Sequence, residues 1–272
     1  MVLMSGYSKK NMAMEKNKMN KQALKDKVNK EIPIFKLREV ALFDDNGNVC
    51  KNEEYTAITE ENRTKPLAFV TNRYNLVQFN EIFIPIIDEF TKLEGNCRYF
   101  NGFGIMDIFP EDDALKENNC QYGLTIYNSV NGTCAINIKF CVKHNNRLIV
   151  MPSKVTGFKK VHSGKALKIT QKYVKMLSKI GSSWKYIMMG LATSEVNGNN
   201  LTDILGDLKL GKKIDELITD RFEYGNCQSL WDLFLITFDY IAGKEFISEV
   251  NQRKKLDSLC EKIYEYSMIE AI

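Results

Sequence analysis

The sequence predicts an α+β fold: an antiparallel β-meander with a helix in the first half, and a helical C-terminal half packed on it. Three observations carry the prediction. Strand-like runs crowd the stretch from Cys97 to Pro152, where apolar and mixed residues alternate, as in Ile136, Ile138, Phe140 and Val142. Asn-Gly pairs, the strongest short hairpin signal, stand at Asn46-Gly47 and Asn131-Gly132. From Ser163 onward the pattern turns helical, with Leu167, Val174, Leu177 and Ile180 on one side of a lysine-rich segment. Strands gathered first and helices gathered last argue against an alternating parallel sheet.

Taken in order, residues 1–30 carry eight lysines against Glu15 and Asp26 and are expected to form a basic, flexible tail. Residues 31–162 form the expected β-rich region, and residues 163–272 a helical region that joins it in one compact unit. "IPIFKLREVALF" reads as a strand or a turn of helix before the "DDNGN" turn. Leu67 to Val77 reads as a strand that feeds a helix, with Asn80 as N-cap, Glu81 in the first turn and Gly95 as the stop. "GFGIMD" reads as a bulged strand. Towards the end, "SLWDLFLITFDYIAG" and "EVNQRKKLDSLCEKIYEYSMIEAI" read as an apolar and a charged amphipathic helix.

Length and composition narrow the classes. With 272 residues, 44% of them hydrophobic, the chain can bury a substantial core. It has no apolar run of membrane-spanning length and no secretory leader, so an intracellular protein with no membrane role is expected. Seven cysteines, an odd number spread through a chain of this size, predict reduced thiols.

Few segments carry chemistry. Cys141 and His144 form one C-x2-H half of a zinc site and lack the second half that four-coordinate zinc needs. "GFGIMD" lacks the lysine and following helix of a phosphate loop. Glu111, Asp112 and Asp113 suit a solvent-facing helix start better than a metal site. No catalytic residue, metal or cofactor is assigned. The basic run is richer: seven lysines lie between Lys154 and Lys175 with no acidic residue among them, and Phe158 and Tyr173 are interleaved. Phosphate-tracking surfaces combine cations with stacking rings in this way. Lys159, Lys160, His162 and Lys165 with Phe158 are therefore expected to bind nucleic acid. Arg98, Tyr99, Lys139, Lys143 and Arg147 are expected to extend that surface, with Phe100 as a further stacking ring and the meander's hairpin leaving Lys139, Lys143, His144 and Arg147 towards solvent.

Three segments together resemble a family: Tyr74 to Gln78 before a helix, the Asn128 to Gly132 hairpin with the strand Cys141 to Asn146 and His162 after it, and the helical block from Trp231 onward. In this order they are similar to the phage- and plasmid-borne domain of unknown function 932, over about residues 67–265. The chain departs from that pattern at Asn131, where Asp is usual, and at Lys139 and Lys143, where an arginine is common. The resemblance implies a mobile element in a bacterial cytoplasm and an architecture similar to ring-forming single-strand annealing proteins. The expected function is single-stranded nucleic-acid binding or annealing, with self-association left open. The alternative is a host-interaction protein that inhibits a bacterial defence complex by occluding its surface.

Overall fold

The computed structural model describes residues 19–112, 116–117, 120–131, 136–145, 147–151, 176, 184–243 and 249–269. Its centre is a seven-stranded antiparallel sheet. Strand β1 (Met19–Asn20) lies beside β5 (Leu93–Phe100), followed by β6 (Phe103–Pro110), β8 (Cys120–Ser129), β9 (Asn137–His144) and β10 (Arg147–Val150), with the short β7 (Lys116–Glu117) paired to β8. A second, three-stranded sheet holds β2 (Phe35–Phe43), β3 (Val49–Glu60) and β4 (Ala68–Thr71). The α+β class and the helical C-terminal part stand as the sequence predicts.

Two helices cover one face of the large sheet. The segment expected to be tail supplies the first: residues 21–31 form α1 (Lys21–Glu31), capped by the Asn20 side chain, which accepts from the Ala23 amide at 2.9 Å. Leu24 and Val28, four apart, sink into the core. Lysines of the same helix are engaged: Lys21 reaches the Phe90 carbonyl at 2.5 Å, and Lys25 pairs with Asp88. The expected tail therefore loses residues 19–30 to the fold, and residues 1–18 lie outside the described ones.

The second helix, α2 (Phe79–Asp88), starts two residues earlier than expected. Its N-cap is Gln78, and Glu81 accepts from the Gln78 amide at 2.9 Å. The Gln78 side chain is spent across the structure, accepting from the Phe35 amide at 3.0 Å and donating to the Phe35 carbonyl at 2.9 Å, so it closes the edge of β2 as a strand would. Gly95 is not the helix stop. It lies in β5 with Leu24 above it, and a Cβ there would come within 2.8 Å of both the Leu24 side chain and the Asp107 carbonyl.

The Asn46-Gly47 turn joins β2 to β3 as expected, with Gly47 at φ 81° and Asp44 accepting from the amides of Asn46 and Asn48. A second tight turn at Asn101-Gly102, with both φ positive, joins β5 to β6. Strand β6 pairs in unbroken register with β5 and β8 instead of bulging. The 132–135 part of the predicted β8–β9 turn, and the amphipathic segment from 163 apart from Met176, lie outside the described residues. Helical residues 184–193 are followed by α3 (Leu201–Leu208), α4 (Lys212–Glu223), α5 (Leu230–Ala242) and α6 (Glu249–Ile269). Ser229 caps α5 reciprocally with Asp232.

Gly123 marks how tightly the sheet is packed. A Cβ there would lie 2.2 Å from the Ile108 carbonyl and 2.6 Å from the Phe109 ring. Gly123→Ala is expected to lower the unfolding free energy by about 1–3 kcal/mol through overpacking, read from the urea midpoint at unchanged slope.

Candidate functional site

Strand parity decides where the predicted residues go. Side chains alternate between the faces of a sheet, and the observed register places Tyr99, His144 and Arg147 on the face that α1 and α2 cover, with Arg98, Lys139 and Lys143 on the other. The hairpin does not present these cations to solvent together. Both faces of β9 are largely buried, which corrects the expectation of one exposed side.

The second face is closed by α6 through a buried polar layer. Asp107, Thr125 and Lys139 stand in one row across β6, β8 and β9. Arg253, only 3% exposed, drops from α6 into that row. Its Nη2 donates to Asp107 Oδ1 and Thr125 Oγ1, both at 2.9 Å, and its Nε to the Tyr127 hydroxyl at 3.4 Å. Thr125 donates in turn to Asp107 at 2.6 Å. One turn on, Asp257 pairs with Arg253 at 3.4 Å and accepts from the Tyr127 hydroxyl. A further turn on, Glu261 takes Lys139 Nζ at 3.4 Å. Burial pushes the Asp257 carboxyl above its ordinary value, against the opposing pull of Arg253 and the Tyr127 hydroxyl. Lys139 is 9% exposed and held by a carboxylate, so its role in the described structure is cohesive.

The other predicted residues are placed as follows. Arg147 forms a fork with Asp239 of α5, Nε to Oδ1 and Nη2 to Oδ2, both at 2.8 Å. The Tyr99 ring packs against Phe35 and Phe79, while its hydroxyl donates to Glu60 at 3.3 Å and accepts from the Gly102 amide at 3.0 Å. Burial is the chief cause that raises its pKa to about 12. Arg98 and Lys143 are half-buried, and Phe100 stands exposed at the end of β5. Phe158, Lys159, Lys160, His162 and Lys165 lie outside the described residues.

Cys141 and His144 point to opposite faces. Cys141 packs with Phe109, Leu148 and Val150, and His144 faces Trp231 at 5.7 Å between ring centres. They cannot share a metal. The described cysteines are free thiols, and all but Cys50 are buried; burial raises Cys97 to about 12 and Cys227 to about 11, leaving little thiolate for nucleophilic work. Among the described residues no group of three or more His, Cys, Asp and Glu side chains is arranged to hold a metal, and no helix is long and apolar enough to cross a membrane.

The three-stranded sheet, whose turn the sequence predicts, is not among the expected site residues. It forms an arm whose outer part, beyond the end of β4, is two strands thick and exposed on both faces. Phe43 is 73% exposed, Val49 67%, Phe69 62% and Leu42 50%. The outer edge of β2 beyond Phe35, and the β3 edge that β4 does not reach, have no strand beside them among the described residues. Apolar side chains on open-edged strands are what protein partners add to, and what isolated proteins usually avoid. The available signal was the run "VALF" directly before a hairpin turn.

Comparisons with protein-family models, curated proteins and solved structures found no match. The resemblance set out above thus rests on its quoted motifs.

Two outcomes follow from these geometries. Arg253→Ala, which leaves buried Asp107 and half-buried Asp257 without their cation, is expected to cost about 3–5 kcal/mol of unfolding free energy in urea. His144 is held below its ordinary 6.5 by burial and then by Arg147. The folded state therefore binds fewer protons than the unfolded chain below that pH, so stability falls as pH drops through 6.5 towards the folded value. His144→Gln should remove this part of the decline, followed by tryptophan emission in urea at about pH 7 and about pH 5.

Proposed function

We propose that this chain is a non-catalytic protein of a mobile element that works in a bacterial cell by occupying the surface of another protein, with the β2–β3 arm as its contact. The observation that carries this reading is the exposure of Leu42, Phe43, Val49 and Phe69 on an arm with open strand edges, with Phe43 and Val49 paired side by side on one face of its tip. Burying such side chains against an apolar partner contributes roughly 25 cal/mol per Å² removed from water, and a few protruding apolar anchors commonly dominate an interface. This is the occlusion mode in which binding alone blocks a target.

Nucleic-acid binding is the second reading. Its support is the lysine density between Lys154 and Lys175 in the sequence. Lys139 and Arg147 add little to it, because each already holds a carboxylate.

A photo-crosslinking residue placed at Phe43, in cells that make the full chain, tests the choice. A discrete protein adduct is expected from that position and none from Lys213 on α4. Adducts to nucleic acid alone, or equal protein adducts from both positions, would overturn the protein reading. Single-strand oligonucleotide affinity, where present, should be indifferent to Phe43→Ser and fall steeply with salt.

A further inference from the structure

The arm tip is as acidic as it is apolar. Between Glu39 and Glu54 stand five carboxylates, Glu39, Asp44, Asp45, Glu53 and Glu54, and a single cation, Lys51. Lys51 is bound to Glu39 at 2.5 Å. Asp44 shapes the turn, accepting from the amides of Asn46 and Asn48 and from the Asn48 side chain, and these hydrogen bonds, led by the Asn48 side chain, lower its pKa and keep it ionised. Among the described residues the carboxylates of Asp45 and Glu54 make no ion pair, and Glu53 is close enough to Lys51 only to act on it through its charge. The chain as a whole is +4, so this charge is segregated on the arm rather than spread over the molecule.

From this juxtaposition we infer that the arm tip accepts a protein surface that is both cationic and apolar; the inference rests on the reading of the arm as the contact surface and names the chemistry of what it contacts. Phe43 and Val49, paired side by side on one face of the ladder, enter apolar depressions of the partner. The unpaired carboxylates meet lysines or arginines at the rim, where charge steers encounter and sets partner choice more than raw affinity. A phosphate backbone is repelled by the same rim, and an acidic partner likewise.

The test uses the full chain and three labelled peptides of equal length: lysine alternating with leucine and phenylalanine, the same peptide with glutamate for lysine, and the same with serine for the apolar residues. Fluorescence anisotropy is expected to show binding of the first alone, weakening as salt is raised. Two arm variants are compared, Asp45→Lys/Glu53→Lys/Glu54→Lys and Phe43→Ser/Val49→Ser; all five positions are exposed and none of these side chains bonds to the fold. Each is expected to weaken the first peptide by about tenfold or more while leaving the thermal melt unchanged.

Equal binding of the glutamate peptide, unchanged affinity in the charge-reversed variant, or no peptide binding at all would overturn the inference. So would sedimentation showing that a second copy of the chain occupies the arm. If the apolar variant loses binding and the charge-reversed variant keeps it, or if Phe43 still yields a protein adduct in cells while no peptide binds, the partner chemistry is wrong and the contact surface stands. If Phe43 yields no adduct either, both fall.

Discussion

The guanidinium of Arg253 is the charge around which the described structure closes. A buried cation is tolerated only when its donors are met, and here Asp107, Thr125, Tyr127 and Asp257 meet them from two strands and from the same helix. The arrangement joins residues more than a hundred positions apart and fixes both the rotation and the axial position of α6. Turning that helix by one residue would lift Arg253 out of the row formed by Asp107 and Thr125, and Asp257 and Glu261 would leave their partners with it. An apolar contact would slide more easily, because dispersion has little direction, whereas forked hydrogen bonds specify a register.

That constraint explains why Lys139, expected at the solvent-facing side of the hairpin, is held inside the structure instead. Alternation was read correctly in β9, and with it the oily face of Ile136, Ile138, Phe140 and Val142. The mixed face was assigned to solvent because Lys139 lies on it. A lysine at the centre of a strand is equally compatible with a helix that brings a carboxylate down onto it, and the matching signal lay far away: Arg253, Asp257 and Glu261 recur at four, one stripe of α6. Pairing the two requires knowing which helix crosses which strand, and no local pattern contains that. The same limit applies to Arg147, whose partner Asp239 is ninety-two residues on.

Local signals fared better where the chemistry is local. The Asn46-Gly47 turn is decided by backbone dihedral preference and by hydrogen bonds within a few residues. Gly95 shows the boundary of that success. As a glycine after a helix it resembles a stop, yet its reason for being glycine is the methyl of Leu24 lying over it, a contact from seventy residues earlier. Residues 19–30 were expected to belong to a flexible tail, because lysine density masked the two buried positions, Leu24 and Val28, that draw them into the core.

Against this closed body the arm is the unresolved physical problem of the structure. Phe100, Tyr186, Met189 and Tyr224 are also exposed away from the arm; on the arm, exposed apolar side chains stand beside carboxylates that no cation closes off. An open-edged, apolar two-stranded ribbon should favour pairing with another copy of itself. The acidic rim opposes that, since two tips brought together would set Asp45, Glu53 and Glu54 against their own kind, while a cationic surface would relieve the same repulsion. One set of charges thus accounts for both halves of selectivity, keeping the arm from its own copies and leaving it open to a partner of opposite sign.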